Sequence, residues 1–325
     1  MAHGIVIKKA GGPEVLEWAT LDLPAPKPTE ARVRHTAVGV NFIDVYVRTG
    51  LYPVAAYPAI LGQEAAGVVE AVGAQVTTLK VGDRVAYTGA GSGSYAEAAN
   101  VPAERLVKLP DSIPDRTAAA IMLKGLTAHY LLKGTYKVQK GDPIVFHAAA
   151  GGVGLIAVQW AKALGAEVIG VVGSKAKAEL ALEHGAKHAI VSPPEDIAKR
   201  VRELTGGKGV PVVYDSVGKD TFQASLDCLR PRGTMVTFGN ASGPVPPFSV
   251  LELSRRGSLY LTRPTLFHYV ATSEELAAAA RELFEVVGSG AVKVRIGQTY
   301  ALKDARRAHE DLEARRTTGS TVLIP

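Results

Sequence analysis

A glycine-rich turn, set between a short apolar run and an apolar helix pattern, is the clearest chemical signal in the sequence. The apolar run and the turn together cover residues 143–154, and the helix pattern covers residues 155–164. The Gly-x-Gly-x-x-Gly spacing falls on Ala149, Gly151 and Gly154. Glycines at the last two positions let the backbone approach a pyrophosphate and let helix and strand pack closely, while the free N–H groups of the helix face the anion. The turn predicts a dinucleotide site, although similar turns also serve helix packing alone.

Short apolar runs and amphipathic segments alternate after this turn. The predicted strands are residues 167–172, 189–191, 210–214 and 234–238. The predicted helices are residues 175–184, 195–205 and 221–229. Apolar runs too short for helices, separated by helices that end at glycine, are typical of a doubly wound parallel sheet. The sequence therefore predicts an α/β Rossmann unit, which strengthens the dinucleotide interpretation.

The second strand of this unit ends without the carboxylate that would bond the ribose 2′-hydroxyl of NAD. That acid is expected about 20 residues after the glycine turn, where the sequence reads Gly173-Ser174-Lys175-Ala-Lys177. Ser174 and Lys177 can donate charge-assisted hydrogen bonds to a 2′-phosphate. The simpler interpretation is a helix cap followed by solvated lysines. Because the acid is missing as well, NADPH is the expected coenzyme.

Length and composition narrow the class of protein. The 325 residues are enough for two domains, each with its own core. The net charge of +6 comes from dispersed basic residues, which is weak evidence for a nucleic-acid partner. Cys228 is the only cysteine, which excludes an intrachain disulfide and a cysteine-cluster zinc site. Since no signal peptide or separate membrane span is evident, we expect a cytoplasmic protein.

The segments on either side of the Rossmann unit carry different patterns. Before it, short strand signals are separated by Gly, Pro and Asp turns, which favours a mostly antiparallel domain. These predicted strands are residues 4–7, 31–38, 65–72, 84–87 and 95–99. After residue 266 the sequence predicts helices at 273–287 and 302–315 and a closing strand at 321–324. A chain that ends in a strand needs a sheet for that strand to join.

Motifs along the whole chain carry a family resemblance. They are Gly11-Gly-Pro-Glu-Val-Leu16, Gly39-Val-Asn-Phe-Ile-Asp44, Arg48-Thr-Gly-Leu-Tyr52, Leu61-Gly-Gln-Glu-Ala-Ala-Gly67, Val81-Gly-Asp-Arg-Val85, Leu123-Lys-Gly-Leu-Thr127, His147-Ala-Ala-Ala-Gly-Gly-Val-Gly154, Tyr214-Asp-Ser-Val-Gly218 and Phe238-Gly-Asn240. On these motifs the chain resembles the zinc-free quinone oxidoreductases of the medium-chain dehydrogenase/reductase superfamily. The resemblance implies a mostly-β GroES-like catalytic domain of residues 1–124 and 266–325. It implies a Rossmann domain, residues 125–265, inserted into the first, with the active site in the cleft.

Two positions depart from the zinc-bearing alcohol dehydrogenases of that superfamily. Asn41 stands where those enzymes have a metal-binding cysteine, and Gly62-Gln63-Glu64 replaces their Gly-His-Glu. Without thiolate or imidazole there is no tetrahedral Lewis acid to activate an alcohol. The resemblance therefore implies no metal, and metal-free hydride transfer from NADPH to a quinone or activated enone, with the protein supplying orientation and polar groups.

The resemblance also implies roles for single residues. Asn41 and Asp44 are expected to bond ribose or substrate oxygens, and Tyr46 or Tyr52 to bond the quinone carbonyl or relay a proton. Each tyrosine could instead be a satisfied hydroxyl on an apolar wall. The catalytic candidates are Asn41, Asp44, Tyr46, Tyr52, Gln63 and Lys124. The coenzyme-binding candidates are Asn41, Phe42, Tyr46, Tyr130, Ala149, Gly151, Gly152, Val153, Gly154, Gly173, Ser174, Lys177, Ser192, Val217, Phe238, Gly239, Asn240, Ala241, Arg263, Pro264 and Thr265.

One feature of the relatives is missing after the third Rossmann strand. Relatives often have Asn-Tyr there, with the tyrosine on the 2′-phosphate, whereas this chain has Val191-Ser192. Serine is shorter and cannot stack on the adenine ring. We therefore expect a weaker preference for NADPH over NADH than is usual in the family.

Alternative functions and the assembly state follow from the same resemblance. An enone or enoyl-thioester reductase would use the same fold and hydride. Some relatives serve as lens structural proteins or bind RNA, but the chain lacks the aromatic platform with interleaved basic residues that single strands favour. The segment 257–262 resembles a Rossmann edge strand that relatives pair into a homodimer. The preceding proline loop, residues 244–247, could cover that edge instead.

Overall fold

The chain forms two compact units in the computed structural model, which describes residues 2–89, 93–193 and 195–325. The first unit comprises Met1–Leu126, Val270–Gly288 and Val294–Pro325, and the second, called the Rossmann unit below, comprises Thr127–Tyr269 and Ser289–Lys293. The short segment 289–293, which the sequence analysis assigned to the catalytic domain, makes its contacts with the Rossmann unit.

Strands dominate the first third of the chain, and helices alternate with strands over much of the remainder. The strands are β1 (Ala2–Ile7), β2 (Glu17–Leu21), β3 (Glu30–Val40), β4 (Ala59–Ile60), β5 (Glu64–Val72), β6 (Arg84–Thr88), β7 (Ala98–Pro102), β8 (Leu106–Lys108), β9 (Pro143–His147), β10 (Glu167–Val172), β11 (His188–Val191), β12 (Val210–Asp215), β13 (Leu229–Thr237), β14 (Tyr260–Thr262), β15 (Ile296–Ala301) and β16 (Ser320–Ile324). The α-helices are α1 (Phe42–Arg48), α2 (Asp115–His129), α3 (Gly152–Ala163), α4 (Lys175–Glu183), α5 (Ile197–Leu204), α6 (Phe222–Asp227), α7 (Leu251–Arg255), α8 (Ser273–Gly288) and α9 (Ala305–Glu313).

The first unit is built on mostly antiparallel sheets. Its larger sheet has the order β15-β16-β3-β5-β6-β8, and β7 also pairs with β3. The closing strand β16 pairs antiparallel with the end of β3, where Thr321 lies opposite Val40. Buried aliphatic side chains from β3, β5 and the first turns of α9 share one core. The end of β3 is therefore held in the middle of the sheet, and residue 41 follows directly from it.

The Rossmann unit has the doubly wound architecture that the sequence predicts. Its strands are parallel and lie in the order β11-β10-β9-β12-β13-β14, with helices between successive strands. Because β9 and β12 are neighbours although β10 and β11 lie between them in sequence, the strand order reverses beside β9. Ligands of open α/β sheets bind at the carboxyl ends of strands at such a point.

Three predictions about single elements are wrong in part. The strand expected at 95–99 lies at Ala98–Pro102, because Tyr95 and Ala96 instead meet β1: Ile5 N donates to Tyr95 O at 2.8 Å. The helix expected to reach residue 229 ends at Asp227, and Leu229 already begins β13. The helix expected at 302–315 starts as a 3₁₀ turn, with α-helix only over Ala305–Glu313.

Two helices near the site have no counterpart in the sequence analysis. Helix α1 reads Phe-Ile-Asp-Val-Tyr-Val-Arg, which is rich in residues that favour strands. Helix α2 contains Gly125, which obscures a helical pattern. Within the described ranges, no helix is long and apolar enough to cross a bilayer.

Candidate active site

The glycine turn connects β9 to α3 with very little free space around it. A Cβ added at Gly154 would lie 2.3 Å from Ala148 O, so only glycine allows this helix to pack against the turn. At Gly151 the same oxygen would lie 3.1 Å away. Alanine is accommodated at position 149 because Gly170 of β10 faces it; a Cβ there would lie 2.8 Å from the Ala149 methyl. The substitution in the first motif position is thus compensated on the neighbouring strand.

The start of α3 presents backbone donors in the way a pyrophosphate site requires. Gly151 is the N-cap residue of α3 and has extended backbone, and no side chain of the described residues forms a capping hydrogen bond there. Gly151, Gly152 and Val153 are half-buried, so this backbone retains access to solvent. Unpaired N–H groups at a helix N-terminus and the positive end of its dipole favour an anion.

The loop after β10 combines an open glycine with a capping serine. A Cβ at Gly173 would meet no atom of the described residues within 4 Å, and Gly173 is exposed. Ser174 is the N-cap of α4, and its Oγ accepts a hydrogen bond from Lys177 N at 3.3 Å. The helix-cap interpretation of Ser174 is therefore correct as far as it goes. Capping uses the Ser174 oxygen as an acceptor and does not itself occupy the hydroxyl hydrogen.

The remaining coenzyme candidates of this unit follow the carboxyl ends of its strands. Ser192 follows β11, and Ser192 N donates to Val172 O at 2.9 Å. Phe238, Gly239 and Asn240 follow β13, and a Cβ at Gly239 would lie 2.3 Å from Ser216 O. Because parallel strands share one carboxyl edge, the sheet brings these residues to the edge of the glycine turn. Of the other candidates, Val217, Pro264 and Thr265 are half-buried and Ala241 is exposed.

Arg263 and Tyr130 are each held by contacts within the Rossmann unit. Arg263 Nη1 donates to Thr237 O at 3.1 Å, and with the Asn240 amide oxygen turned toward it, Nη2 donates to that oxygen at 3.1 Å. Tyr130 is buried and stacks on Tyr269 with ring centroids 4.6 Å apart. Both side chains are therefore positioned by the fold before any ligand binds.

A buried carboxylate that the sequence analysis did not select fixes the loop after β12. Asp215 Oδ1 accepts from Val217 N at 2.8 Å, and Oδ2 accepts from Ser225 Oγ at 2.7 Å. Because that serine donates to Asp215, it must accept from His147 Nε2, 2.9 Å away. Asp215 thereby ties the loop to the strand that leads into the glycine turn. Asp215 lies in the motif 214–218, and this was the sequence signal by which it could have been selected.

In the first unit, the buried carboxylate Glu64 gathers the polar candidates. Glu64 Oε1 accepts from Asn41 Nδ2 at 2.9 Å and from Lys124 Nζ at 2.6 Å, and Oε2 accepts from Leu123 N at 2.6 Å. Asn41 and Lys124 are each 5% exposed and Glu64 is fully buried. A Cβ at Gly39 would lie 2.2 Å from Glu64 Oε1, so the glycine makes room for the carboxylate. Asn41, Glu64 and Lys124 are called the Glu64 cluster below.

Asp44 lies in the first turn of α1, next to this cluster. Its Oδ2 accepts from Asn41 N at 2.8 Å and from Tyr95 Oη at 2.9 Å. Burial raises the pKa of Asp44 to about 7, although the two hydrogen bonds and the charge of Lys124 act in the opposite direction. Its Oδ1 is buried and makes no hydrogen bond within the described residues. Tyr95 was missed because it lies 51 positions away from Asp44 in sequence.

The aromatic candidates of the first unit pack on one another. The rings of Phe42 and Tyr46 lie 6.0 Å apart, and Tyr46 meets Tyr52 edge to face at 5.3 Å. Tyr46 is buried, whereas Phe42 and Tyr52 are half-buried. Gln63 is 8% exposed, and its backbone carbonyl accepts from Gly89 N at 3.0 Å. The catalytic roles expected for these side chains stay predictions.

The side chains of the Glu64 cluster and of the neighbouring residue Gln63 do not fit a zinc ion. Asn41 and Gln63 offer amides, which are poor zinc ligands beside thiolate and imidazole. Lys124 Nζ already neutralises Glu64 at 2.6 Å and would repel a divalent cation. Over the ranges that the structure describes, no three His, Cys, Asp or Glu side chains form a group that could hold a metal.

Comparison with known proteins gives consistent matches. Residues 27–111 match the model of the alcohol dehydrogenase GroES-like domain, and residues 152–285 match that of the zinc-binding dehydrogenases. A quinone oxidoreductase of Pseudomonas aeruginosa is 56% identical over 325 residues, covering 100% of both chains. A 2-haloacrylate reductase of Burkholderia sp. is 46% identical, covering 100% of this chain and 99% of its own. The Escherichia coli quinone oxidoreductase complexed with NADPH superposes with a TM-score of 0.98 at 51% identity, covering 99% and 100%.

Proposed function

The chain belongs to the medium-chain dehydrogenase/reductase superfamily, among its quinone oxidoreductases, and we propose that it transfers hydride from NADPH to quinones without a metal. The observation that carries the metal-free part is the Glu64 cluster. An ammonium group and an amide occupy both hydrogen-bonding positions on Glu64 Oε1, next to the positions where zinc-bearing members have metal ligands. Lys124 therefore supplies the positive charge that a zinc ion supplies in the zinc-bearing members.

NADPH fits the Rossmann unit at the residues described above. The backbone N–H groups of Gly152 and Val153 would hold the pyrophosphate, since Gly151 N already donates to Ala148 O at 2.8 Å. Ser174 Oγ with Lys177 Nζ would donate to the 2′-phosphate. The described residues leave the space next to Gly173 empty, so contact with a bound ligand would explain why a glycine stands at this position. When bound, the nicotinamide supplies the hydride. The residues of this unit bind and orient the coenzyme.

On the acceptor side, we propose that the Glu64 cluster supplies the polar groups. Hydride addition to a quinone or enone leaves negative charge on the acceptor oxygen. A preorganised cation or hydrogen-bond donor aimed at that oxygen stabilises the transition state more than the ground state. Lys124 carries the positive charge in this proposal. Asn41 donates to the same Glu64 oxygen as Lys124 and so helps to hold the ion pair in position. Tyr46 and Tyr52 are further hydroxyl donors in this proposal.

Reduction of an activated alkene is the second candidate reaction. It is supported by the 46% identity to a 2-haloacrylate reductase over the whole chain. The same cation would stabilise the enolate that forms when hydride adds to an α,β-unsaturated acid. The full-length identity with oxidoreductases supports an enzyme over the RNA-binding or lens-structural alternatives.

We also propose a homodimer and a cytoplasmic location. Strand β14 lies at the edge of the six-stranded sheet, and Tyr260 on it is 62% exposed. Val250 and Leu251, close in sequence, are 73% and 59% exposed. An edge strand with exposed apolar side chains on it and close to it in sequence favours pairing with a second copy. NADPH is supplied inside cells, which supports the location.

Steady-state oxidation of NADPH and of NADH against quinones, haloacrylates and enoyl thioesters, with and without a chelator, tests the proposal. We expect quinones to give the highest kcat/KM, NADPH to be preferred, and the chelator to change nothing. Loss of activity on chelation would contradict the metal-free reaction. Enoyl thioesters or haloacrylates that outpace quinones by orders of magnitude would move the assignment to the second candidate.

A further inference from the structure

A buried row of hydrogen bonds leads from α9 to Asp44. Arg48 Nη1 lies 3.0 Å from His309 Nδ1, His309 Nε2 lies 3.0 Å from Tyr95 Oη, and Tyr95 Oη lies 2.9 Å from Asp44 Oδ2. All four side chains are at most 1% exposed. These residues, called the Asp44 row below, come from sequence segments far apart, and the proposed reaction does not yet use Arg48, His309 or Tyr95.

Each hydrogen bond of the Asp44 row has only one possible donor and one possible acceptor. Arginine can only donate, so His309 Nδ1 accepts and its hydrogen lies on Nε2. His309 Nε2–H therefore donates to Tyr95 Oη, and the tyrosine donates to Asp44. The pKa of His309 is lowered to about 3 by burial and by Arg48, which keeps the ring neutral. Because arginine does not release a proton, the row orients Tyr95 rather than conducting protons from the surface.

Charged side chains lie at both ends of the Asp44 row. Arg48 forms two hydrogen bonds with the Glu313 carboxylate at 2.8 Å each, which neutralises it at the far end of the row. On the near side, Glu64 and Lys124 both interact electrostatically with Asp44 and pair with each other. The group of Asp44, Glu64 and Lys124 therefore has no net charge when Asp44 holds a proton. It has one net negative charge when Asp44 is ionised.

We propose that Asp44 is a proton-dependent charge that controls hydride acceptance at the Glu64 cluster, and that Tyr95, oriented by His309, sets the pH of the change. A net negative charge beside Lys124 opposes the negative charge that develops on the acceptor oxygen. Protonated Asp44 therefore favours the reaction, and ionised Asp44 slows it. Tyr95 and His309 are positioning residues, because they act through Asp44. This inference rests on the proposed function.

Tyr95→Phe tests the inference because the variant is expected to retain more of its activity at alkaline pH than the wild type. The variant removes a hydrogen bond that favours the ionised form of Asp44, so Asp44 should keep its proton to higher pH. We expect kcat/KM for a quinone with NADPH to fall above about pH 7 in the wild type, and this alkaline limb to move up by about one pH unit in the variant. At pH 8 the variant should retain roughly five times more of its own maximal activity than the wild type.

A matched control exists in the same unit. Tyr87 and His35 form a second buried tyrosine–histidine pair with Tyr87 Oη 2.9 Å from His35 Nε2, and among the described residues Tyr87 forms no hydrogen bond with a carboxylate. Tyr87→Phe should cost comparable stability and leave the alkaline limb in place. An equal shift in both variants, or no shift in Tyr95→Phe, would overturn the proposal.

His309 variants test the orienting part of the proposal. Glutamine can accept from Arg48 and donate to Tyr95, so His309→Gln should keep the wild-type profile. His309→Leu can do neither and should move the limb part of the way toward that of Tyr95→Phe. Identical profiles for the two His309 variants would remove His309 from the mechanism.

Carbon-13 NMR of labelled aspartate carboxyls separates this inference from the proposed function. The Asp44 signal, assigned by its loss in Asp44→Asn, should titrate near pH 7 and at higher pH in Tyr95→Phe. If the wild type reduces no quinone, the proposed function fails, but the titration still tests the link between Tyr95 and Asp44. A titration that moves while the rate profile does not would refute control of the reaction by this charge.

Discussion

Replacement of Lys124 by methionine separates the structural role of the Glu64 cluster from its chemical role. Lys124 is 5% exposed and its partner Glu64 is fully buried, so the variant leaves a buried carboxylate without its cation. Breaking a buried ion pair costs about 3–5 kcal/mol. Glu64 keeps the hydrogen bonds from Asn41 and Leu123, which places the expected cost near the lower end, about 3 kcal/mol.

The double variant Glu64→Gln/Lys124→Met removes the uncompensated charge. Because its buried glutamine is neutral and still accepts hydrogen bonds, most of the lost stability should return. Activity should not return: if Lys124 stabilises the acceptor oxygen, kcat should be about 100-fold lower in both variants. Recovery of stability without activity is thus the signature of a catalytic lysine.

Urea unfolding followed by tryptophan fluorescence measures the stability, and NADPH oxidation measures kcat. The chain has two tryptophans, Trp18 in the first unit and Trp160 in the Rossmann unit. All variants are therefore made in a Trp160→Phe background, so that Trp18 reports on the unit that contains the cluster. A double variant that regains both stability and activity would show that Lys124 only holds Glu64 in place.

Three further outcomes test the coenzyme site and the assembly. Gly173→Ala should raise KM for NADPH about tenfold and leave the melting temperature unchanged. The control is Gly288→Ala, where an added Cβ also meets no described atom within 4 Å, and it should change neither KM nor melting temperature. Equal effects of the two variants would contradict coenzyme binding at Gly173. Ser174→Ala should reduce the kcat/KM preference for NADPH over NADH about tenfold, with KM for NADH nearly constant; an unchanged ratio would assign the serine to capping alone. In light scattering, Tyr260→Lys should yield monomers and Leu182→Lys, also exposed in the same unit, should not; a dimer in both would place the interface elsewhere.

The Rossmann unit could be predicted from the sequence because its signals are local. Short apolar runs, helices that end at glycine and the turn at 148–154 each depend on a few adjacent residues. Ser174 shows the limit of such signals. A helix cap and a phosphate donor require the same residue at the same place, so the sequence alone supports both interpretations, and the structure shows the cap.

The parts of the site that could not be predicted depend on distant contacts. His309 lies 214 positions from Tyr95, and nothing near either residue indicates that they meet. Helix α1 was missed because its β-branched and aromatic residues favour a strand, while tertiary packing and the hydrogen bond from Asn41 N to Asp44 stabilise its first turn. Asn41 could be selected from its motif, but its bond to Glu64 could not.

The pairing of β16 with β3 has a consequence for synthesis on the ribosome. β3 emerges early and pairs on one side with β5, but on its other side Val38–Val40 gains a neighbour only when Thr321–Leu323 appear, after nearly all other residues. The Rossmann unit, which lies almost wholly between them in sequence, can fold first, since domains generally fold as units. Until then the strand that leads into Asn41 has an unpaired edge, so nascent chains truncated before β16 should aggregate through that edge.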